Sequence, residues 1–283
     1  MRHRRLKGDA RPEDQIREHY QIEVVLADKL RQSSKEERLP GKLYTTLYDE
    51  LYRRVPHHQQ LTRKVSARGT AKALKWQYGM VGRFLNKRTN FLEVGPGDFL
   101  LSFKVAPAVE KVFAVDISSI VTDHNSVPGN FKLILSDGCD IPLPGNSIDV
   151  AYSNQLMEHL HPDDAREQLM NIYKVLKPGG RYVCITPNKT NGPWDISYCY
   201  DEFARGFHLQ EYSMHELTQL FKEVGFRKLC VFAGARGYYV RFPIVLVIWL
   251  ERWLSRMPFR LRSTLGRSLL YRAILGIRLV GVK

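Results

Sequence analysis

Long apolar runs are missing from this 283-residue chain: the longest, Phe242 to Leu250, has nine residues, whereas a helix crossing a bilayer needs roughly 20. No transmembrane helix is expected. The basic start, MRHRRLKGDARPEDQ, leads into no apolar stretch, so no secretory signal is expected either. Cysteine is scarce as well. Cys139, Cys184, Cys199 and Cys230 form no Cys-x-x-Cys pair and no His/Cys cluster, which argues against a disulfide framework and against a metal site. A reducing, cytoplasmic compartment is the default. Ordinary proportions of hydrophobic (44%) and charged (25%) residues exclude wholesale disorder and a fibrous protein.

Acidic residues are sparse at the two ends. Residues 1–90 carry 21 Lys/Arg against 10 Asp/Glu, and residues 236–283 carry 10 against 1, whereas residues 91–235 carry 12 against 18. Basic ends around an acidic middle point toward an anionic partner surface, either a membrane or a nucleic acid.

The first 87 residues read as a helical extension. Ile16, Tyr20, Val24 and Ala27 recur at helical spacing over 12–35, Leu47 and Leu51 continue it over 43–52, and a third helix is expected from about Arg68 to Lys87. From 88 to 235 the texture is that of an α/β domain. The apolar runs 91–95, 111–116, 131–137, 147–154, 181–188 and 226–233 alternate with helical segments. One of these, DDAREQLMNIYKVLK, is expected to stop at Pro178-Gly179-Gly180, and another, Met214 to Val224, at Gly225. This order implies a parallel sheet with helices on both faces and ligands at the carboxyl ends of the strands. Residues 236–283 form a basic, amphipathic tail. Residues 237–257 are apolar and aromatic, and 259–280 read as a helix with Arg260, Arg267 and Arg278 on one side and Leu265, Leu269, Ala273, Ile277 and Val280 on the other. Tryptophans beside a basic face suit the membrane interface. No nucleic-acid module is evident, because the aromatics cluster with aliphatics.

Chemistry concentrates where strands end. Gly95 and Gly97 let the backbone approach a ligand, but Leu100 stands where a dinucleotide fingerprint needs its third glycine. Glu93 would repel a pyrophosphate and suits a ligand with a positive group. Asp116 lies 21 residues after Gly95, a distance at which a carboxylate meets ribose hydroxyls, and Asp137 could accept from an exocyclic amine or cap the turn that follows it. Three carboxylates around a nucleoside without phosphates fit S-adenosylmethionine better than a dinucleotide.

The segments FLEVGPGDF, VFAVDIS, SDGCDIPLPGNSIDVAYSNQLMEHL and YKVLKPGGRYVCITPN, in that order, resemble the motifs of class I S-adenosylmethionine-dependent methyltransferases of the type 11 group, over about residues 90–190. Phe99 stands where that family often has another glycine. The resemblance implies a Rossmann-like methyltransferase sheet, with Glu93, Gly95 and Gly97 near the methionine part of the donor and Asp116 on the ribose. Asp137 and Gly138 would meet the adenine, and Ser153 and Asn154 would face the methyl group. An oxygen acceptor also wants a general base, for which His159 ranks ahead of His208; Glu211 and Tyr212 lie nearby in sequence. The expected function is methyl transfer to a small-molecule, sugar or lipid-linked acceptor, by a cytoplasmic protein touching the inner membrane face. The alternatives are an RNA methyltransferase with basic clamps and a non-catalytic cofactor-binding module.

Overall fold

The structure is a computed structural model that describes residues 4–5, 9–40, 42–62, 67–117 and 127–283. The N-terminal helices are α1 (Glu13–Gln32), α2 (Lys35–Arg38), α3 (Leu43–Arg54), α4 (Gln59–Thr62) and α5 (Ala67–Val81). On α1 the buried stripe runs through Ile16, Ile22, Leu26 and Leu30, while Glu13 and Asp14 in the first turn and Lys29 and Arg31 in the last complement the helix dipole. The third helix is shorter than expected. It ends at Val81 and gives way to a 3-10 turn over Gly82–Phe84.

The α/β part comprises β1 (Asn90–Val94), α6 (Leu100–Val105), β2 (Lys111–Asp116), β3 (Phe131–Leu135), β4 (Ile148–Asn154), α7 (Pro162–Val175), β5 (Leu176–Thr186), α8 (Met214–Val224) and β6 (Lys228–Ala235). It continues through β7 (Tyr238–Phe242), α9 (Ile244–Ser255), α10 (Phe259–Gly266), α11 (Leu269–Leu275) and β8 (Ile277–Val282). One eight-stranded sheet has the order β3-β2-β1-β4-β5-β8-β6-β7. The first five strands pair in parallel, and β8 runs antiparallel to both β5 and β6. The chain leaves β1 toward β2 and β3 and returns to place β4 on β1's other side, so strand order reverses between β1 and β4. A ligand crevice opens at such a reversal.

Alternation sorts the strand residues between two cores. Phe91, Val150, Tyr152 and Val183 pack on the face covered by α5 and α6. Leu92, Val94, Ala151, Tyr182 and Cys184 pack on the opposite face, with α7 and α8. Helix α8 has its start fixed by a Ser213–Glu216 capping box and its end by Gly225 at φ +118°.

Two expectations are corrected. Pro178-Gly179-Gly180 does not precede β5 but lies within it, at a register irregularity against β4, with Gly179 at φ +80°. The segment expected as a 259–280 helix divides into α10, α11 and the central strand β8. At Gly281 a Cβ would come within 2.7 Å of Phe226, so strand and helix layer meet there only through glycine.

Helices α1 to α3 form a cap beside the carboxyl ends of the strands. Arg38 of α2 pairs with Asp164 of α7, its Nε donating at 2.6 Å, and Tyr44 of α3 donates to the same carboxylate at 2.7 Å. Arg31 donates to the carbonyls of Arg205 and Gly206, and Glu23 accepts from the Phe207 N–H at 2.9 Å. These bonds fasten the cap to the loop between β5 and α8.

Candidate active site

A cavity of about 280 Å³ opens at the strand-order reversal. Five of the expected residues line it: Gly95, Gly97, Asp116, Gly138 and His159. Gly95 and Gly97 have φ +64° and +66°, and a Cβ on Gly95 would meet the Leu156 side chain at 2.9 Å. No atom lies within 4 Å of where a Cβ on Gly97 would be, so backbone conformation is what demands glycine there. Apolar walls come from Val94, Val115, Ile117 and Leu156, with the Asp116 carboxylate at the end of β2. Apolar walls for a base and a carboxylate for ribose hydroxyls fit an adenosyl group.

The other expected residues lie elsewhere. Glu93 shares a sheet face with Phe91, pointing at α6 rather than into the cavity, and accepts from Ser102 Oγ at 2.6 Å. Burial pushes its carboxyl up to about 8 against the pull of that hydrogen bond. Asp137 caps its own turn, Oδ1 accepting from the N–H groups of Cys139 and Asp140, each at 2.8 Å. Ser153 is buried against the Tyr182 hydroxyl at 2.6 Å, and Asn154, half-buried at the end of β4, does not line the cavity. Residues that the motifs did not reveal complete the lining: Tyr44, Tyr48 and Tyr52 from α3, with Gln60 beyond it. Their i, i+4, i+8 spacing was visible beside the Leu47–Leu51 stripe.

A second cavity, about 200 Å³, shares Tyr48, Gln60 and His159 with the first, so these side chains form a common wall. Arg11, His58, Trp194, Asp195 and His208 are among its other polar and aromatic lining residues. A third, of about 270 Å³, shares Trp194 and His208 with the second and is bounded by Arg272 and Arg278.

Hydrogen-bond partners fix the histidine tautomers. His159 Nδ1 lies 3.1 Å from the Phe207 carbonyl and 2.9 Å from the Tyr48 hydroxyl. A carbonyl only accepts, so Nδ1 carries the hydrogen and the Nε2 lone pair remains. Burial pushes this ring down to about 3, and the neighbouring His208 adds to the effect. His159 is therefore a neutral lone-pair donor, well below the near-neutral value wanted of a general base. Burial also disfavours charge on His208, but the Glu211 carboxylate at 2.7 Å from its Nδ1 outweighs this and raises the ring to about 9. Burial pushes Asp195 and Glu158 up to about 7 each.

Two groups of side chains among the described residues stand close enough to share a cation: His19, Glu23 and His58, and Glu158, His159 and His208. In the first, the outer partners donate to the rings, so the ring hydrogens point inward. Arg11, which only donates, lies 3.0 Å from His19 Nδ1, so His19 Nε2 bears a hydrogen and gives it to Glu23 Oε2 at 2.7 Å. His58 Nδ1 accepts the Gln60 N–H at 3.2 Å, and burial holds that ring near 4, so its Nε2 is hydrogen-bearing too.

Residues 92–184 match the family model described as a methyltransferase domain. A probable S-adenosylmethionine-dependent methyltransferase of Mycolicibacterium smegmatis is 30% identical over 150 residues, which is 51% of this chain and 55% of the relative. The demethylmenaquinone methyltransferase of a Geobacillus species is 26% identical, over 68% of this chain and 90% of that one. The chain thus spans about half the length of the mycobacterial relatives it matches. In fold it is similar to phosphoethanolamine N-methyltransferase 1 of Haemonchus contortus, solved with phosphoethanolamine and S-adenosylhomocysteine. The TM-score is 0.56 at 13% identity, over 88% of this chain and 50% of that one.

Proposed function

Since the chain carries a class I S-adenosylmethionine-dependent methyltransferase domain, we propose that it methylates a small-molecule, sugar or lipid-linked acceptor held in the second cavity, while resting against an anionic membrane surface. The observation that carries this reading is the common wall of Tyr48, Gln60 and His159 between the two cavities. Methyl transfer is an in-line displacement, so donor and acceptor must approach from opposite sides of one point, and positioning supplies much of the acceleration. S-adenosylmethionine supplies a methyl group on a positively charged sulfur. Asp116, with the backbone at Gly95 and Gly97, orients it. On the acceptor side Trp194 offers a face for a ring, and Asp195 and His58 offer polar groups to hydroxyls. The Tyr48 oxygen shares the His159 Nδ1 hydrogen, so the hydroxyl keeps its own hydrogen to donate to a ligand.

Membrane contact is supported by α9, where Val245, Leu246, Trp249 and Trp253 are exposed beside Arg252 and Arg256. None of the described helices is long and apolar enough to cross a membrane. The donor reading is tested by calorimetric titration with S-adenosylhomocysteine. The wild type is expected to bind, and Asp116→Ala to lose about 1.5–3 kcal/mol, roughly 10- to 150-fold in affinity. A wild type that takes up no radiolabelled donor would end the enzyme reading.

A further inference from the structure

We propose that Glu158, His159 and His208 hold a divalent transition-metal cation at the wall between the cavities, and that this cation binds an oxygen of the acceptor. The inference deepens the methyl-transfer reading and rests on it for the identity of the acceptor. Three observations converge.

The first is an unmet need. Glu158 is fully buried, and its Oε2 accepts from Thr186 Oγ1 at 2.9 Å, but its Oε1 has no hydrogen-bond partner. A buried carboxylate oxygen left unpaired is costly, and folded proteins keep few of them. The second is proximity. One ligand atom from each of the three side chains lies within 4.8 Å of the others. Donors around a cation at about 2.1 Å stand roughly 3.0–3.4 Å apart, a contraction that side-chain rotation can supply.

The third is the outer layer. Metal-bound histidines almost always give their other N–H to a carboxylate or carbonyl, which fixes the tautomer. Here His159 Nδ1 faces the Phe207 carbonyl at 3.1 Å, which leaves its Nε2 lone pair for a metal, and His208 Nδ1 faces Glu211 at 2.7 Å, which directs its Nε2 to the same role once the metal displaces the proton that this nitrogen carries. The His19–Glu23–His58 group, at similar distances, has the opposite arrangement. Its outer partners donate, and its Nε2 atoms carry hydrogen.

Two imidazoles and one carboxylate favour Zn²⁺, Mn²⁺, Fe²⁺ or Co²⁺ over Mg²⁺ or Ca²⁺, which prefer oxygen. Three protein ligands leave coordination positions for the acceptor. His159 lines the first two cavities and His208 the second and third, so those positions open where substrate arrives. The acceptor class is then a hydroxyl compound. Its oxygen bonds to the methyl carbon as the carbon–sulfur bond breaks, leaving S-adenosylhomocysteine, and the hydroxyl proton passes to solvent. Cation binding lowers the cost of losing that proton.

The test uses the full chain stripped of metal and titrated with Co²⁺. One equivalent is expected to bind with visible d–d absorption, and Glu158→Gln and His208→Gln are each expected to weaken binding about 100-fold or more. Neither residue lines the donor cavity, so S-adenosylhomocysteine should still bind both variants, which checks their fold. Spin-echo spectroscopy of Mn²⁺-loaded wild type, which needs no variant, should detect two imidazole nitrogens. A wild type that takes up no Co²⁺, Co²⁺ binding retained in both variants, or Mn²⁺ without imidazole signals would overturn the site. Specific Co²⁺ binding by a wild type that ignores S-adenosylhomocysteine would support the cation site and remove the donor reading.

Discussion

Phe99 occupies a backbone position suited to glycine, at φ +57°, yet its ring is 1% exposed and packs edge-on against Phe131. The two facts pull in opposite directions. Left-handed backbone costs a side-chain-bearing residue roughly 1–2 kcal/mol, and emptying a buried phenylalanine site costs about 3–5 kcal/mol. Burial wins, so Phe99→Gly is expected to destabilise the protein by about 1–4 kcal/mol in urea unfolding. Its affinity for S-adenosylhomocysteine should stay within about twofold, because Phe99 does not line the donor cavity. A tenfold change in either direction would mean that this residue acts on the ligand. The same distinction explains which site residues could be read in the chain. Gly95, Gly97 and Gly138 were legible because a positive φ selects the residue type itself. Glu93 and Asp137 do not line the cavity. Strand alternation gives Glu93 to Ser102, and a local turn takes Asp137, and neither orientation is visible in a motif.

At the scale of elements, a buried ion pair joins the cap over the site to α7. Arg38 and Asp164 have side chains 3% and 0% exposed, and Tyr44 completes the carboxylate's shell. Removing one member of such a pair leaves an unpaired charge, which costs about 3–5 kcal/mol. Asp164→Asn is therefore expected to lower the urea midpoint at pH 7. Burial alone would raise the Asp164 carboxyl, but the bonds from Arg38 and Tyr44 outweigh it and hold the group below its ordinary value. A depressed carboxyl contributes its stability above the unfolded value of about 3.9 and loses it as pH falls through the folded one. The gap between wild type and variant should thus be the same at pH 7 and pH 5, narrowing only in stronger acid. A gap that already shrinks between pH 7 and pH 5 would assign the effect to another group. The helices of this cap were legible from apolar spacing, but the pair joining α2 to α7 was not, because it links residues 126 positions apart. Strand β8 was misread for a related reason. Leu269, Ala273 and Ile277 do follow helical spacing, but residues 277–282 also alternate as a strand, and pairing with β5 and β6 decides between the two.

Across the whole molecule, the two basic ends serve one region. The N-terminal segment gives Tyr48 to the first two cavities and His58 to the second, and the C-terminal segment gives Arg272 and Arg278 to the third. That C-terminal segment also carries the exposed apolar residues. Trp249 is 63% exposed and Val245 76%, and Leu269 and Leu270 on α11 are exposed as well. Large apolar side chains on helices that also carry arginines are what an anionic lipid interface accepts: the ring or aliphatic group enters the headgroup region, and the guanidinium stays with phosphate. The arrangement would let an acceptor with a lipid anchor keep its tail in the bilayer while its polar end reaches the cavities. Co-sedimentation with vesicles tests this directly. Binding to phosphatidylglycerol-containing vesicles should exceed binding to phosphatidylcholine alone, because each arginine near the surface contributes about 1 kcal/mol. Trp249→Ser with Trp253→Ser should weaken it roughly 10- to 100-fold by removing apolar area from the interface. Added salt should weaken the wild type only in part, since the tryptophan contribution is not screened. Equal binding by wild type and double variant, or indifference to anionic lipid, would detach the protein from the membrane. If the chain then bound RNA with a steep salt dependence, the arginines would belong to a phosphate backbone instead.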